Sequence, residues 1–243
     1  MSNTDTGLAP EEIEATVQRT PAVLLLDTSG SMEEETATPG GERKEKIEHL
    51  NAGLELFAEE VKSKEHASVR VDVAIVTFGS EVEVTQEFTS IEEWTPPTLT
   101  ASGSTPMGEA IETGIDLAED VKRFYDENGI SYTRPLLWLL TDGEPTDMSP
   151  GDSQWNHVQE QLAVGTSGNH FLFFAMGVGA ANRETLNALV EETGKTALKI
   201  KEGMFKEYFQ FVSNSLENAS QPGGDTPDKV AERDELETFV QFD

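Results

Sequence analysis

The chain has no cysteine, few basic residues and no long apolar run. Without cysteine it can form no disulfides, thiolate metal sites or cysteine nucleophiles. A membrane-spanning helix needs about 18 or more consecutive apolar residues, and no run approaches that length. Residues 1–20 are polar and acidic and lack the charged-then-apolar pattern of a signal peptide. These absences predict a soluble cytoplasmic protein that does not contact a membrane.

Positive charge is scarce: 17 Lys and Arg stand against 46 Asp and Glu, a formal net charge of −29. No basic cluster is present to neutralise phosphates, which argues against nucleic-acid binding. The acidic residues are spread along the whole chain. This spread favours adaptation to high salt, where the screening length falls to about 3 Å at 1 M. The alternative is a field that attracts cations or basic partners.

Short apolar runs alternate with stretches of helical periodicity. Residues 22–26, 135–140 and 171–178 have the continuous apolar character of buried strands, and residues 81–88 alternate like a half-exposed edge strand. The other predicted elements are strands over 69–78 and 196–200 and helices over 44–61, 107–125, 155–162, 183–191 and 203–216. This order predicts a doubly wound α/β fold with a mainly parallel six-stranded sheet, one antiparallel edge strand and helices on both faces.

A length of 243 residues suits one sizeable domain. We predict a polar N-terminal segment over 1–20, the domain over 21–218, and an acidic, flexible tail over 219–243 that begins with a Pro- and Gly-containing linker. The mainly apolar residues 239–242 near the end of the tail are predicted to fray or to pack weakly on the domain rather than to act as a docking peptide.

Polar side chains follow two of the predicted buried strands. Asp27, Ser29 and Ser31 follow the first strand, and Asp142 follows the strand over 135–140. Thr105 lies in a loop between them. In a Rossmann-like strand order of 3-2-1-4-5-6, the strands that lead to Asp27 and Asp142 are neighbours at the point where ligand sites form. Two carboxylates and three hydroxyls are therefore expected to meet at one edge of the sheet.

These side chains are all hard oxygen donors, which suit Mg²⁺ better than metals that favour nitrogen or sulfur. Two carboxylates repel each other unless a proton or a cation lies between them, and together they balance one divalent charge. Neutral hydroxyls would leave the ion electrophilic, so that an acidic group of a partner could complete its coordination.

The D-x-S-x-S motif from Asp27 to Ser31, with Thr105 in GSTP and Asp142 in TDG, resembles the metal-ion-dependent adhesion site of von Willebrand factor type A (VWA) domains. The resemblance runs from about residue 21 to residue 216. It implies that the two serines and the threonine bind the metal directly, that the aspartates bind directly or through water, and that the ion is Mg²⁺ or Mn²⁺.

Residues 96–111 and 139–147 resemble more closely the TerY-like branch, which is associated with tellurium resistance. That branch implies a place in stress-response or signalling assemblies, with kinases or phosphatases among the partners. The segment EEETATPGGERKEK after Met32 is longer than this branch leads us to expect. It is predicted to lie on the rim of the site, where Glu33, Glu34 and Glu35 could compete for the metal or repel an acidic partner.

Glu144 and Asp147 are further rim candidates, although an acidic loop that caps a helix explains them more simply. The function predicted from all these residues is a non-catalytic, metal-dependent protein-interaction module whose partner presents Asp or Glu. One alternative is a scaffold that the metal only stabilises.

A less favoured alternative is a metal-dependent hydrolase. Asp27 follows a strand as a dehalogenase-type nucleophile does, but Ser29 stands where the second aspartate belongs. A serine hydrolase also fits poorly, because no G-x-S-x-G elbow occurs and no histidine is tied to either serine by a known pattern.

Adaptation to high salt predicts that the protein loses stability below about 0.5 M salt, as repulsion among its carboxylates becomes unscreened. Thermal unfolding over a KCl series measures this; sulfate is avoided because its exclusion from protein surfaces stabilises folded states generally. Full stability in dilute buffer would count against the prediction.

Overall fold

A computed structural model describes residues 6–8, 17–38, 40–224 and 240–241. The strands are β1 (Thr20–Asp27), β2 (Glu35–Ala37), β3 (Arg43–Glu45), β4 (Val71–Phe78), β5 (Val82–Ser90), β6 (Leu136–Thr141), β7 (Leu172–Val178), β8 (Leu198–Ile200) and β9 (Val240–Gln241). The helices are α1 (Lys46–Ser63), α2 (Ala67–Arg70), α3 (Met107–Asn128), α4 (Ser153–Ser167), α5 (Arg183–Val190) and α6 (Phe205–Ser220). Short 3-10 helices cover Gly30–Glu33 and Glu191–Thr193.

The main sheet has the strand order β5-β4-β1-β6-β7-β8-β9. Strands β4, β1, β6, β7 and β8 are parallel, and β5 pairs antiparallel with β4 at one edge. The order reverses between β1 and β6, which are direct neighbours, with Leu26 paired to Leu140. The chain segments that follow these two strands therefore leave the sheet side by side.

Every residue of β1 is buried, and successive side chains of a strand point to opposite faces. Both faces of the sheet are therefore covered, and helices cover them. Leu24 and Leu26 belong to a core with residues of α1 and α6, whereas Val23 and Leu25 belong to a core with residues of α3, α4 and α5. The central strand is thus packed against helices on both of its faces.

The predicted six-stranded sheet with one antiparallel edge strand is confirmed, and so is its order. Val240–Gln241 adds a further short antiparallel pairing on the exposed edge of β8. Two residues are too short for a strand pattern to be read from sequence. The predicted domain end at 218 falls in the last turn of α6, and tail residues 225–239 lie outside the described residues.

The segment after Met32, predicted to lie on the rim of the site, forms a small structure of its own. β2 and β3 pair as an antiparallel two-stranded sheet, and α1 begins directly after β3. This hairpin therefore fixes where the first residue of α1 lies.

A buried polar cluster lies at the opposite, amino end of the central strands. Arg19 forms an ion pair with Asp72, and the hydroxyl of Tyr125 donates to the same carboxylate. All three residues are buried. The pairing compensates the buried charges and fixes the start of β1 against β4.

No helix in the described part of the chain is both long enough and apolar enough to cross a membrane.

Candidate functional site

Asp27 is the last residue of β1 and Asp142 follows the last residue of β6, and each is only 1% exposed. The carboxylate of Asp27 is fixed by two donors: the backbone N–H of Ser29 at 2.8 Å and the hydroxyl of Thr141 at 2.5 Å. Thr141 closes the neighbouring strand. The pairing of β1 with β6 therefore determines the orientation of Asp27.

A chain of hydrogen bonds joins the loop after β1 to Asp142. The hydroxyls of Ser29 and Ser31 lie 3.0 Å apart, and the Ser31 hydroxyl donates to Oδ1 of Asp142 at 2.6 Å. The turn Gly30–Glu33 is a 3-10 helix, which brings Ser31 back over the strand end. The structure thus brings Asp27, Ser29, Ser31 and Asp142 together, as the sequence predicts.

The loop that contains Thr105 is hydrogen-bonded to the loop that follows β1. The N–H of Gly30 donates to the carbonyl of Gly103 at 3.0 Å, and the N–H of Ser102 donates to the carbonyl of Thr28 at 2.7 Å. Gly103 has φ +80, and a Cβ there would lie 2.4 Å from the Cα of Ser80, so only glycine fits.

Thr105 itself is 6% exposed, and its carbonyl accepts from the N–H groups of Met107 and Thr146. Its Oγ1 would lie 3.4 Å from a Cβ placed on Gly143, the residue after Asp142. The threonine hydroxyl therefore faces the turn that follows β6. All the predicted metal ligands lie at the carboxyl end of β1 and β6 or against it.

Lys46 is a site residue that the sequence reasoning missed. Its side chain is 6% exposed, and its ammonium donates to Oδ2 of Asp142 and to Glu34, each at 2.7 Å. A weaker bond of 3.3 Å reaches the carbonyl of Ser31. The sequence held only a weak signal: the partial positive charge at a helix start disfavours lysine by about 1 kcal/mol or less, which favours acidic partners without identifying them.

Burial and neighbouring charges shift the pKa values of Asp27, Lys46 and Glu34. Burial raises the pKa of Asp27, and the nearby charge of Asp142 adds to the rise, against the hydrogen bonds from Ser29 and Thr141. Burial disfavours the charged form of Lys46, but its bonds to Asp142 and Glu34 outweigh this and raise its pKa. The bond to Lys46 lowers the pKa of Glu34. The ammonium is thus held in its charged form beside Asp142.

Two of the predicted rim acids, Asp147 and Glu144, have partners of their own. Asp147 accepts from the N–H groups of Gly108 and Glu109 and so caps α3, which is the simpler interpretation of this residue. Glu144 accepts from the hydroxyl of Thr185 at 3.1 Å, and Glu33 is exposed in the 3-10 turn. In the segment after Met32, Glu34 is linked to the site by its ion pair with Lys46.

The donor set fits a hard divalent cation, because it offers two carboxylates and three hydroxyls and no nitrogen or sulfur. Within the described ranges, no group of three or more His, Cys, Asp and Glu side chains is placed to hold a metal ion. A metal at this site would therefore depend on the hydroxyls and on water as well as on the two aspartates. The metal site and its ligands stay a prediction.

The family model described as the von Willebrand factor type A domain matches residues 23–214 of the chain. The chain belongs to the VWA domain family. VWA domains mediate protein–protein interaction, so the match indicates a protein-interaction module. Asp27, Ser29, Ser31, Thr105 and Asp142 all lie within the matched part of this VWA domain.

Solved structures are similar to this VWA domain in fold. The PilB minor pilin from Streptococcus sanguinis has a TM-score of 0.54 and 14% identity, over 82% of this chain and 62% of its own. The ArnB paralog VWA2 from Sulfolobus acidocaldarius has a TM-score of 0.51 and 14% identity, over 82% of this chain and 45% of its own. This VWA domain thus spans less than two thirds of either relative. A comparison with curated proteins found no match.

The hydroxyl of Thr141 is buried and bonds to Asp27, so the change Thr141→Val should be costly although it conserves shape. We expect the free energy of unfolding to fall by about 1.5–3 kcal/mol, because a hydrogen bond to a charged group is lost. Urea unfolding in chelator measures this.

The matched control is Thr113→Val, since the Thr113 hydroxyl bonds only to a carbonyl of its own helix. Its effect should stay within about 0.5 kcal/mol. Equal effects of the two changes would show that the Thr141 bond does not hold Asp27 in place.

Proposed function

We propose that this VWA domain is a non-catalytic module that holds one divalent cation and captures a carboxylate of a partner protein. One observation supports the proposal most strongly: hydrogen bonds join Ser29 to Ser31 and Ser31 to Asp142. These residues lie beside Asp27, where the strand order of the sheet reverses between β1 and β6. Ligand sites of open α/β sheets form at this place.

The residues that would hold the ion are Asp27, Ser29, Ser31, Thr105 and Asp142. Mg²⁺ suits them best, with Mn²⁺ as the second choice, because all donors are oxygens and the carboxylates are few. When bound, the ion supplies a positive centre that an Asp or Glu of the partner can complete. Ser31 is only partly buried, which gives such a carboxylate access from the solvent side of the loop.

The partners of the four histidines support a non-catalytic role. His49 lies 3.3 Å from the carbonyl of Thr36, and His66 lies 2.7 Å from Glu217. His157 and His170 pair with Glu112 and Glu119. None of these histidines bonds to Ser29 or Ser31, so neither serine has the adjacent base that a nucleophile requires.

The narrower expectations stay predictions. They are membership of the TerY-like branch, a stress-response or tellurium-resistance assembly, kinase or phosphatase partners, and a cytoplasmic location. The segments 96–111 and 139–147 support the first of these, and the second and third only through it. The pilin relative shares the fold, and its own assembly is not transferred to this chain.

Affinity capture from a cell lysate, with Mg²⁺ and with chelator, tests the proposal. The wild-type chain should retain its partner only with Mg²⁺, whereas Ser29→Ala and Asp142→Ala should lose it in both conditions, because each variant lacks a ligand of the ion. Asp126→Ala is the matched control, since this exposed aspartate bonds only to Tyr132 and lies at the far end of α3.

Circular dichroism verifies that each variant is folded before capture. The same partners in every arm would overturn the metal-dependent mode of binding. Capture that persists while Mg²⁺ still raises the melting temperature would instead favour a scaffold that the metal stabilises.

A further inference from the structure

Lys46 places a positive charge directly beside the buried carboxylate of Asp142. Its ammonium is bonded to Asp142, Glu34 and the carbonyl of Ser31, so that each of its protons has an acceptor. Asp142 and Ser31 are two of the predicted metal ligands. The lysine is therefore bonded to one carboxylate that a cation at this site would use, that of Asp142, and to the backbone of the residue that supplies a predicted hydroxyl ligand.

The fold provides space for this lysine. Gly179, just after β7, has φ +57, and a Cβ there would lie 3.3 Å from Cε and 3.5 Å from Nζ of Lys46. The backbone of Lys46 donates to the carbonyl of Glu34, so both ends of the residue are bonded to the segment after Met32. The lysine is thus held at its backbone and at its ammonium and forms part of the structure of the site.

The role of the lysine follows from the balance of buried charges at the site. Asp27 and Asp142 contribute two negative charges and Lys46 contributes one positive charge, whereas Glu34 is 66% exposed. With Lys46 in place, one negative charge is left for a divalent ion to balance. An ammonium and a divalent cation next to the same carboxylate repel each other strongly at low dielectric.

We propose that Lys46 is an internal counter-ion that occupies Asp142 in the absence of metal and weakens the binding of a divalent cation. The inference rests on the proposed function and adds its regulation. A metal that binds displaces the ammonium from Asp142, and Glu34, at the surface, keeps it paired outside the site. The lysine thus has two acidic partners without metal, Asp142 and Glu34, and keeps one of them, Glu34, when metal is bound.

The test is calorimetric titration of chelator-stripped protein with MgCl₂. Lys46→Met should bind Mg²⁺ more tightly than the wild type by about tenfold or more, because the competing charge is gone. Lys46→Arg keeps the charge and should bind no more tightly than the wild type. Lys44→Met is the matched control: it removes the same charge two residues away, where the lysine is 46% exposed and pairs with Glu42.

Thermal unfolding gives a second readout. Without metal, Lys46→Met leaves the buried Asp142 without its cationic partner, so the melting temperature of this variant should fall below that of Lys44→Met and recover more on addition of Mg²⁺. Binding by Lys46→Met that is equal to or weaker than binding by Lys44→Met would overturn the inference, since the lysine would then support the site.

A second pair of variants decides the matter if Lys46→Met does not fold. Glu34→Gln removes the outer partner of the lysine, whereas Glu35→Gln removes a neighbouring acid that bonds to Arg43. Glu34→Gln should bind Mg²⁺ more weakly than Glu35→Gln by about two- to fivefold, because its ammonium keeps Asp142 as a partner without metal but has no carboxylate partner once metal displaces it. Equal or tighter binding by Glu34→Gln would overturn the inference.

The outcomes also separate this inference from the proposed function. If the wild type binds Mg²⁺ and Lys46→Met binds it no more tightly, only the role of the lysine is rejected. Binding by Lys46→Met alone supports that role and shows that the wild-type site is blocked. If none of the proteins binds Mg²⁺, the proposed function fails and the inference fails with it.

Discussion

Two carboxylates buried at the ends of neighbouring parallel strands repel each other, and the structure around them is organised to reduce that repulsion. Asp27 and Asp142 are placed by the pairing of β1 with β6, which the two hydrophobic cores fix from both faces. Their charges are met by two hydroxyls, the backbone N–H of Ser29 and one ammonium. The free energy that remains to be gained there is what a bound cation would supply.

The loops around the acids are bonded to one another as well as to the acids. The segment with Thr105 is held by backbone bonds to the loop after β1, and the segment after Met32 delivers Lys46 through the start of α1. Donors from several parts of the chain thus converge on one sheet edge. A site held in this way would change little in shape when its central charge changes, which suits the proposed exchange of an ammonium for a metal.

Much of the fold could be predicted because buried strands are continuous apolar runs and amphipathic helices repeat every three to four residues. The strand order then placed Asp27 beside Asp142, and the structure confirms that placement. Pairwise chemistry between distant positions was harder to predict. The Lys46–Asp142 pair, the Thr141–Asp27 bond and the Arg19–Asp72–Tyr125 cluster each join residues far apart in the chain, and no local pattern marks the partners. The two-residue strand β9 is too short to leave a periodic signal.

The most direct measurement is a crystal structure of the protein grown with MnCl₂, with the metal located by its anomalous scattering. The predicted result is one manganese peak at roughly 2 Å from the hydroxyls of Ser29 and Ser31, with Thr105, Asp27 and Asp142 around it. A map with no peak among these residues at saturating Mn²⁺, and with the Lys46 ammonium still on Asp142, would contradict a divalent-cation site in this domain.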